Sequence, residues 1–222
     1  LTAAGIPAPK PLVPVAGRAL IDHVLAALEQ AGIVGVACVV NEESAGIEDH
    51  CRRDWPQLSF AFVRRTTPNS MESLFTLAPL LAGDRFLLLT VDAVFAPETL
   101  GRFLEAAGRR ANADVVLGIT RFVDDEKPLH VTVDGDGNVL ALGDDGRASP
   151  WVTAGMYVVS PAVFAEIDTA RRRRYTALRQ FLGHLVARGY RVAAEPVGTC
   201  IDVDRPEDIA VAEAFIARGY AD

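Results

Sequence analysis

Apolar positions along this chain recur on two distinct periods. Residues 34–40 (VGVACVV), 58–63 (LSFAFV), 86–91 (FLLLTV) and 115–119 (VVLGI) form almost continuous apolar runs of strand length. Such runs suit strands covered on both faces better than half-exposed ones. Between them, residues 18–31 place Leu20, Ile21, Val24, Leu25 and Leu28 on one helical stripe, closed by Gly32. Residues 72–81 and 97–111 also read as helices, the second with Pro97 at its first position and Glu98 beside it. Strands alternating with helices imply parallel βαβ units with right-handed crossovers. Beyond residue 128 the pattern changes. Residues 129–133 and 139–142 flank Asp134-Gly135-Asp136-Gly137-Asn138, a hairpin turn built from residues that tolerate positive φ. Residues 151–159 read as a further strand, Pro161 opens a short helix, and 175–188 and 206–218 complete the helices. The expected architecture is α/β: a three-layer α/β/α domain with a doubly wound mixed sheet, parallel in its first half. No linker, repeat or low-complexity tract interrupts it, so residues 1–222 read as one domain.

Charge and composition narrow the class. With 22 basic against 29 acidic residues the formal net charge is −7, which argues against a nucleic-acid partner held by a basic face. A phosphorylated ligand would therefore need local groups to hold it. Cys38, Cys51 and Cys200 are too few and scattered for a disulfide framework or a zinc site. No apolar run approaches the roughly 20 residues that span a bilayer, and the first residues lack the layout of a signal peptide. A cytoplasmic protein without a membrane partner is expected. Only two of the basic residues are lysines, Lys10 and Lys127.

Three segments carry candidate chemistry. Prolines 7, 9, 11 and 14 exclude a helix or central strand around Lys10 and suggest a stiff extended loop. A lysine fixed between prolines loses little entropy on binding a phosphate, although it could equally be a solvated loop residue. Asp92 ends the 86–91 strand and opens a loop, Ala93-Val94-Phe95, where ligands of parallel sheets bind. Its carboxylate would suit Mg²⁺, or it could cap the helix that follows. Asp202 and Asp204 lie two apart in CIDVDRPED and would face the same way on an extended segment. Asp202 reads as a metal ligand, Asp204 as a helix cap with room for a second role.

Taken in order, Lys10 in PKPLVPVAG, Asp92 in LLLTVDAVF, Thr153-Ala154-Gly155-Met156-Tyr157 and Asp202 in CIDVDRPEDI resemble the NTP-transferase (sugar nucleotidyltransferase) family over essentially the whole chain. The similarity is greatest to small members acting on inositol phosphate, phosphocholine or sugar 1-phosphates. The resemblance implies transfer of an NMP group from an NTP, CTP or UTP favoured, to a phosphorylated sugar, polyol or choline, with release of pyrophosphate. It implies catalytic roles for Lys10, Asp92 and Asp202, with Mg²⁺ held by Asp92 and Asp202. Asn69 and Ser73 would contact the nucleobase, though Asn69 or Ser70 could simply cap a helix. Thr153 and Gly155 would line the acceptor pocket, and a homodimer is compatible with the family. The family opens with a strand and glycine-rich loop, so both are expected upstream of Leu1, the strand lying beside residues 86–91. Val91 and Cys200 replace a glycine and a tryptophan common in the family. A metal-dependent glycosyltransferase and a non-catalytic nucleotide-binding or regulatory module are the alternatives. Arg171 to Arg174 could grip an anionic acceptor or form a solvated helix end. His23, His130 and His184 lack partners at metal-ligand spacing and read as structural.

Overall fold

The computed structural model describes residues 9–42, 44–122, 128–143 and 149–221; Lys127 lies outside them. The first described segment is not fully extended. Lys10–Leu12 form one 3-10 turn, because Pro9 and Pro11 need donate no hydrogen bond within it. A small hairpin follows, β1 (Pro14–Val15) pairing with β2 (Arg18–Ala19). Its turn places Ala16 and Gly17 at φ +50° and +76°, matching the twist of a two-residue hairpin.

The helix expected from residue 18 begins two residues later as α1 (Leu20–Gln30). β3 (Gly35–Val40) and β4 (Ser59–Arg64) pair in parallel, joined by α2 (Ala45–Asp54), which the apolar pattern did not reveal. α3 (Ser70–Leu77) is capped by the Asn69 side chain and leads to β5 (Phe86–Leu89). Residues 93–95, expected as loop, form a short strand, β6 (Ala93–Phe95). Pro97 is not the first residue of the next helix; α4 runs Thr99–Arg109. β7 (Val115–Thr120) is followed by the expected hairpin, β8 (Val131–Val133) and β9 (Val139–Leu142). The turn is closed by Asp134, whose Oδ1 accepts from the N–H groups of Asp136 and Asn138. The chain ends with β10 (Val152–Val159), α5 (Ile167–Arg172), α6 (Leu178–Ala187), β11 (Val192–Pro196), β12 (Cys200–Asp202) and α7 (Pro206–Ala217).

The main sheet has the order β11-β7-β10-β5, with β11 parallel to β7 and β10 antiparallel to both neighbours. β5 pairs along one edge only among the described residues. Side chains alternate across this sheet with period two. Val116, Met156, Val158 and Ala193 pack with α1, α2 and α4 on one face. Val115, Leu117, Tyr157 and Val192 pack with α3, α5 and α6 on the other. The result is the expected three-layer α/β arrangement with a mixed sheet. A third, smaller core joins Val15 and Leu20 to Val94 of β6, Ile201 of β12 and Phe215 of α7. That core anchors the segments carrying Lys10, Asp92 and Asp202.

Candidate active site

The short strands decide the geometry. β6 and β12 run antiparallel with Ala93 opposite Asp202, and the Val203 N–H donates to the Asp92 carbonyl at 3.0 Å. This pairing sets Asp92 and Asp202 side by side although 110 positions separate them. Asp204, just beyond β12, joins them: each of the three carboxylates offers an oxygen within 4.8 Å of the other two. The 3-10 turn delivers Lys10 into the same place. Its ammonium donates to Asp92 Oδ2 at 2.6 Å and to Asp204.

Asp204 is not the cap of α7. Asp208 reaches back instead, its Oδ2 accepting from the N–H groups of Asp204 and Arg205 at 3.0 and 2.7 Å. The Asp204 carboxylate instead accepts from the Lys10 ammonium. Asp208 itself is buried and, although burial opposes ionisation, its hydrogen bonds from Arg205 hold it below its ordinary range.

The cluster is electrically unbalanced. Burial, then the charges of Asp92 and Asp204, push the Asp202 carboxyl up to about 8, with Lys10 opposing. Its Oδ1 is buried and makes no hydrogen bond. Asp92 stays below the usual carboxylate range: burial works against ionisation, but the neighbouring Lys10 charge and its hydrogen bond outweigh it. Lys10 is likewise raised, the two aspartates overcoming its desolvation. Three converging carboxylates, one with an orphaned buried oxygen, form the oxygen-only donor set that a hard divalent cation takes.

Beside Asp202 lies a narrow cavity of about 40 Å³, lined by Thr90, Ala93, Thr120, Thr153, Gly155 and Asp202 among others. Thr153 and Gly155 thus sit next to the carboxylates. Asn69 and Ser73 do not line this cavity. Asn69 Oδ1 accepts from the Glu72 N–H at 3.0 Å as the α3 cap, and the Ser73 hydroxyl lies 2.6 Å from that of Thr67. Of the arginine run, Arg171 pairs with Glu72 at 2.8 Å and Arg172 donates to Thr169, as a helix end does. His23 bonds the Val15 carbonyl and His184 bonds Glu166, both structural contacts. Sequence reasoning missed Thr90, which lines the cavity beside Asp202. The signal was available, since residues two apart near a strand end face the same side.

Known proteins resemble this chain along its length. It is 26% identical over 217 residues to a bifunctional IPC transferase and DIPP synthase of Rubrobacter xylanophilus, covering 94% of this chain and 48% of that protein. It is 28% identical over 226 residues to the CMP-5'-(3-aminopropyl)phosphonate synthase of Streptomyces rubellomurinus, covering 96% of this chain and 31% of that one. The chain therefore spans about half or less of these curated relatives. Its fold matches the inositol-1-phosphate CTP transferase of T. maritima with a TM-score of 0.84 at 20% identity, over 100% of this chain and 93% of that one. A putative glucose-1-phosphate thymidylyltransferase of Bacillus anthracis matches with a TM-score of 0.83 at 16% identity, over 97% and 89%. Residues 4–194 match the model of the MobA-like NTP transferase domain, and the chain belongs to that family.

Proposed function

We propose that this domain transfers a nucleoside monophosphate from an NTP to a small phosphorylated acceptor, releasing pyrophosphate. The observation that carries the reading is the convergence of Asp92, Asp202 and Asp204 with Lys10 at the meeting of β6 and β12. An acceptor phosphate oxygen attacks the α-phosphorus, and the bond from that phosphorus to the pyrophosphate oxygen breaks. The acceptor phosphate is ionised at neutral pH, so the protein need supply no general base. Its task is to align the reactants and neutralise crowded charge. Asp92 and Asp202, with Asp204 beside them, would hold Mg²⁺, which supplies positive charge to the α-phosphate. Lys10 would steady phosphate charge, exchanging its present carboxylate partners for phosphate oxygens. In this reading Thr153 and Gly155, which line the cavity beside Asp202, would contact the acceptor, and Asn69 and Ser73 the nucleobase.

CTP or UTP is the favoured donor, and the acceptor is a sugar, polyol or choline phosphate. The names of the relatives, a CTP transferase and a CMP-phosphonate synthase among them, support cytidine. A cytoplasmic location fits a chain in which no helix of the described residues is long and apolar enough to cross a membrane. The deciding experiment is a matrix of four NTPs against phosphorylated acceptors in Mg²⁺, with pyrophosphate release measured. One pair should stand well above the rest and lose its signal with EDTA. Silence across the matrix, with sugar transfer from a nucleotide-sugar instead, would identify a glycosyltransferase.

A further inference from the structure

A second cavity, of about 260 Å³, opens where α4 ends and β7 and β11 begin. Arg109, Arg110 and Asn112 line it from the end of α4, Arg191 from the start of β11, and Asn138 from the β8–β9 hairpin. The cavity beside Asp202 takes Thr120 from the other end of β7. The length of that strand, roughly 17 Å at 3.3 Å per residue, therefore separates the two sites. The lining holds three arginines and no carboxylate, in a chain whose formal net charge is −7.

These arginines are not used up by the helix end or by ion pairs. At the end of α4 the carbonyls of Ala107 and Arg110 accept from Arg85 Nη1 at 3.5 and 3.4 Å, so Arg85 already meets the negative end of the helix. Arg109 is exposed and has no partner among the described residues. Arg110 Nε meets Glu195 Oε1 at 2.7 Å, and Arg191 Nε lies 3.6 Å from Asp114 Oδ2. The Nη groups of both make no hydrogen bond among the described residues. Arg110 is also fixed in place: its Nη2 packs so close to Gly137 that a Cβ there would lie 2.7 Å away. Asp134 of the hairpin is occupied by its own turn, accepting from Asn138 Nδ2 at 2.9 Å and from two backbone N–H groups.

A concave site lined by charges of one sign concentrates the opposite ion. Guanidinium forks match pairs of phosphate oxygens, and three around one cavity suit an anion with more than one phosphate group. We propose that this cavity is a second anion site, which binds a compact oligophosphate, either pyrophosphate or the triphosphate tail of a nucleotide, away from the carboxylate cluster. The proposal does not depend on the transferase reading.

The test titrates the full chain with pyrophosphate by isothermal calorimetry, in EDTA and low salt so that no metal bridges the anion to Asp92 and Asp202. Arg109→Gln and Arg191→Gln, both at exposed positions, should each weaken binding about tenfold, the size of one charged contact. Their melting temperatures should stay close to the parent value, and Lys10→Ala should bind pyrophosphate like the parent. In amide NMR spectra the signals of Ala113, Asn138 and Ala193 should shift during the titration while those of Ala93 and Val203 stay. CTP titrated in the same way separates the two sources: binding as tight as that of pyrophosphate assigns the site to a nucleotide tail, and weaker binding assigns it to free pyrophosphate. Parent-like affinity in the variant combining Arg109→Gln with Arg191→Gln would overturn the proposal. So would loss of binding in Lys10→Ala, which would move the anion to the carboxylate cluster, or no binding to the parent at millimolar pyrophosphate.

Discussion

Two regions of this molecule bury a carboxylate, and they do so in opposite ways. At the N-cap of α5, Glu166 is 8% exposed. It meets His184 Nε2 at 2.8 Å and Arg188 at 3.5 Å, and the Tyr175 ring packs against the histidine. The His184 hydrogen bond, foremost, holds Glu166 below the usual carboxylate range. Where β6 meets β12, Asp202 has acidic neighbours, an unpaired buried oxygen and a carboxyl raised to about 8. A paired buried carboxylate stabilises the fold around it. An unpaired one among like charges destabilises the metal-free protein and persists where a ligand supplies the missing partner. The contrast separates a structural site from a chemical one without reference to any relative.

The contrast breaks most visibly through Asp92→Asn and Asp202→Asn. Both keep shape and remove charge, so turnover in the pyrophosphate assay should fall by about two orders of magnitude or more. The metal-free melting temperature should hold or rise in Asp202→Asn, since like-charge repulsion is relieved. Parent turnover in both variants would remove chemistry from this region altogether. The opposite behaviour is expected of Glu166→Gln. It should lose about 2 kcal/mol in urea unfolding, as a buried charge-assisted hydrogen bond weakens, with turnover unchanged. A parent-like unfolding curve would erase the distinction from the other side.

Lys10→Ala sharpens the picture with a smaller effect. Nucleotide or acceptor KM should rise about tenfold, near the 1.4 kcal/mol of one charged contact, with the fold intact. Lys10→Arg should recover only part, because a planar fork does not replace a compact ammonium. Unchanged kinetics in the alanine variant would make Lys10 a mere counter-charge for Asp92 and Asp204.

The finest distinction is one of sign. Glu166 is depressed, so its contribution to stability is present above the unfolded carboxyl range and lost as pH falls through its lower folded value. Asp202 is raised, so its contribution is present below its ordinary 3.8 and lost as pH rises toward about 8. Metal-free protein should therefore lose stability between pH 5 and 8. Asp202→Asn should flatten that slope and leave the acid limb due to Glu166. An identical slope in both proteins would show that Asp202 ionises normally.

Much of this was legible in advance, for identifiable reasons. Long apolar runs such as residues 34–40 and 115–119 mark strands because so many consecutive apolar side chains suit a covered sheet. Residues 115–119 are buried throughout, whereas Val34 is 65% exposed and Val36–Val39 are half-buried, short of the expected cover on both faces. The Asp134–Asn138 turn was readable because its chemistry is local. Asp92 stood out as a carboxylate ending an apolar run, and Asp202 as one of two aspartates two apart. The short strands β6 and β12 were not readable: three residues carry no period, and each is a strand only because the other pairs with it. The helix α2, with three of its last four residues charged, lacks a broad apolar stripe. The exchange of capping from Asp204 to Asp208 was equally hidden, since both lie at plausible positions and only the folded chain chooses.

What the amino-acid order determined by itself is the layered α/β class and the chemical identity of the groups that matter: a lysine between prolines, and aspartates at strand ends. Hydrophobic periodicity and proline geometry act over a few residues, so they are written locally. Which of those groups meet was decided only by tertiary structure. Lys10, Asp92 and Asp204 converge across separations of 82 and 194 positions, through a small core that joins β6, β12 and α7. Contacts of that range depend on packing and register, which no local pattern encodes.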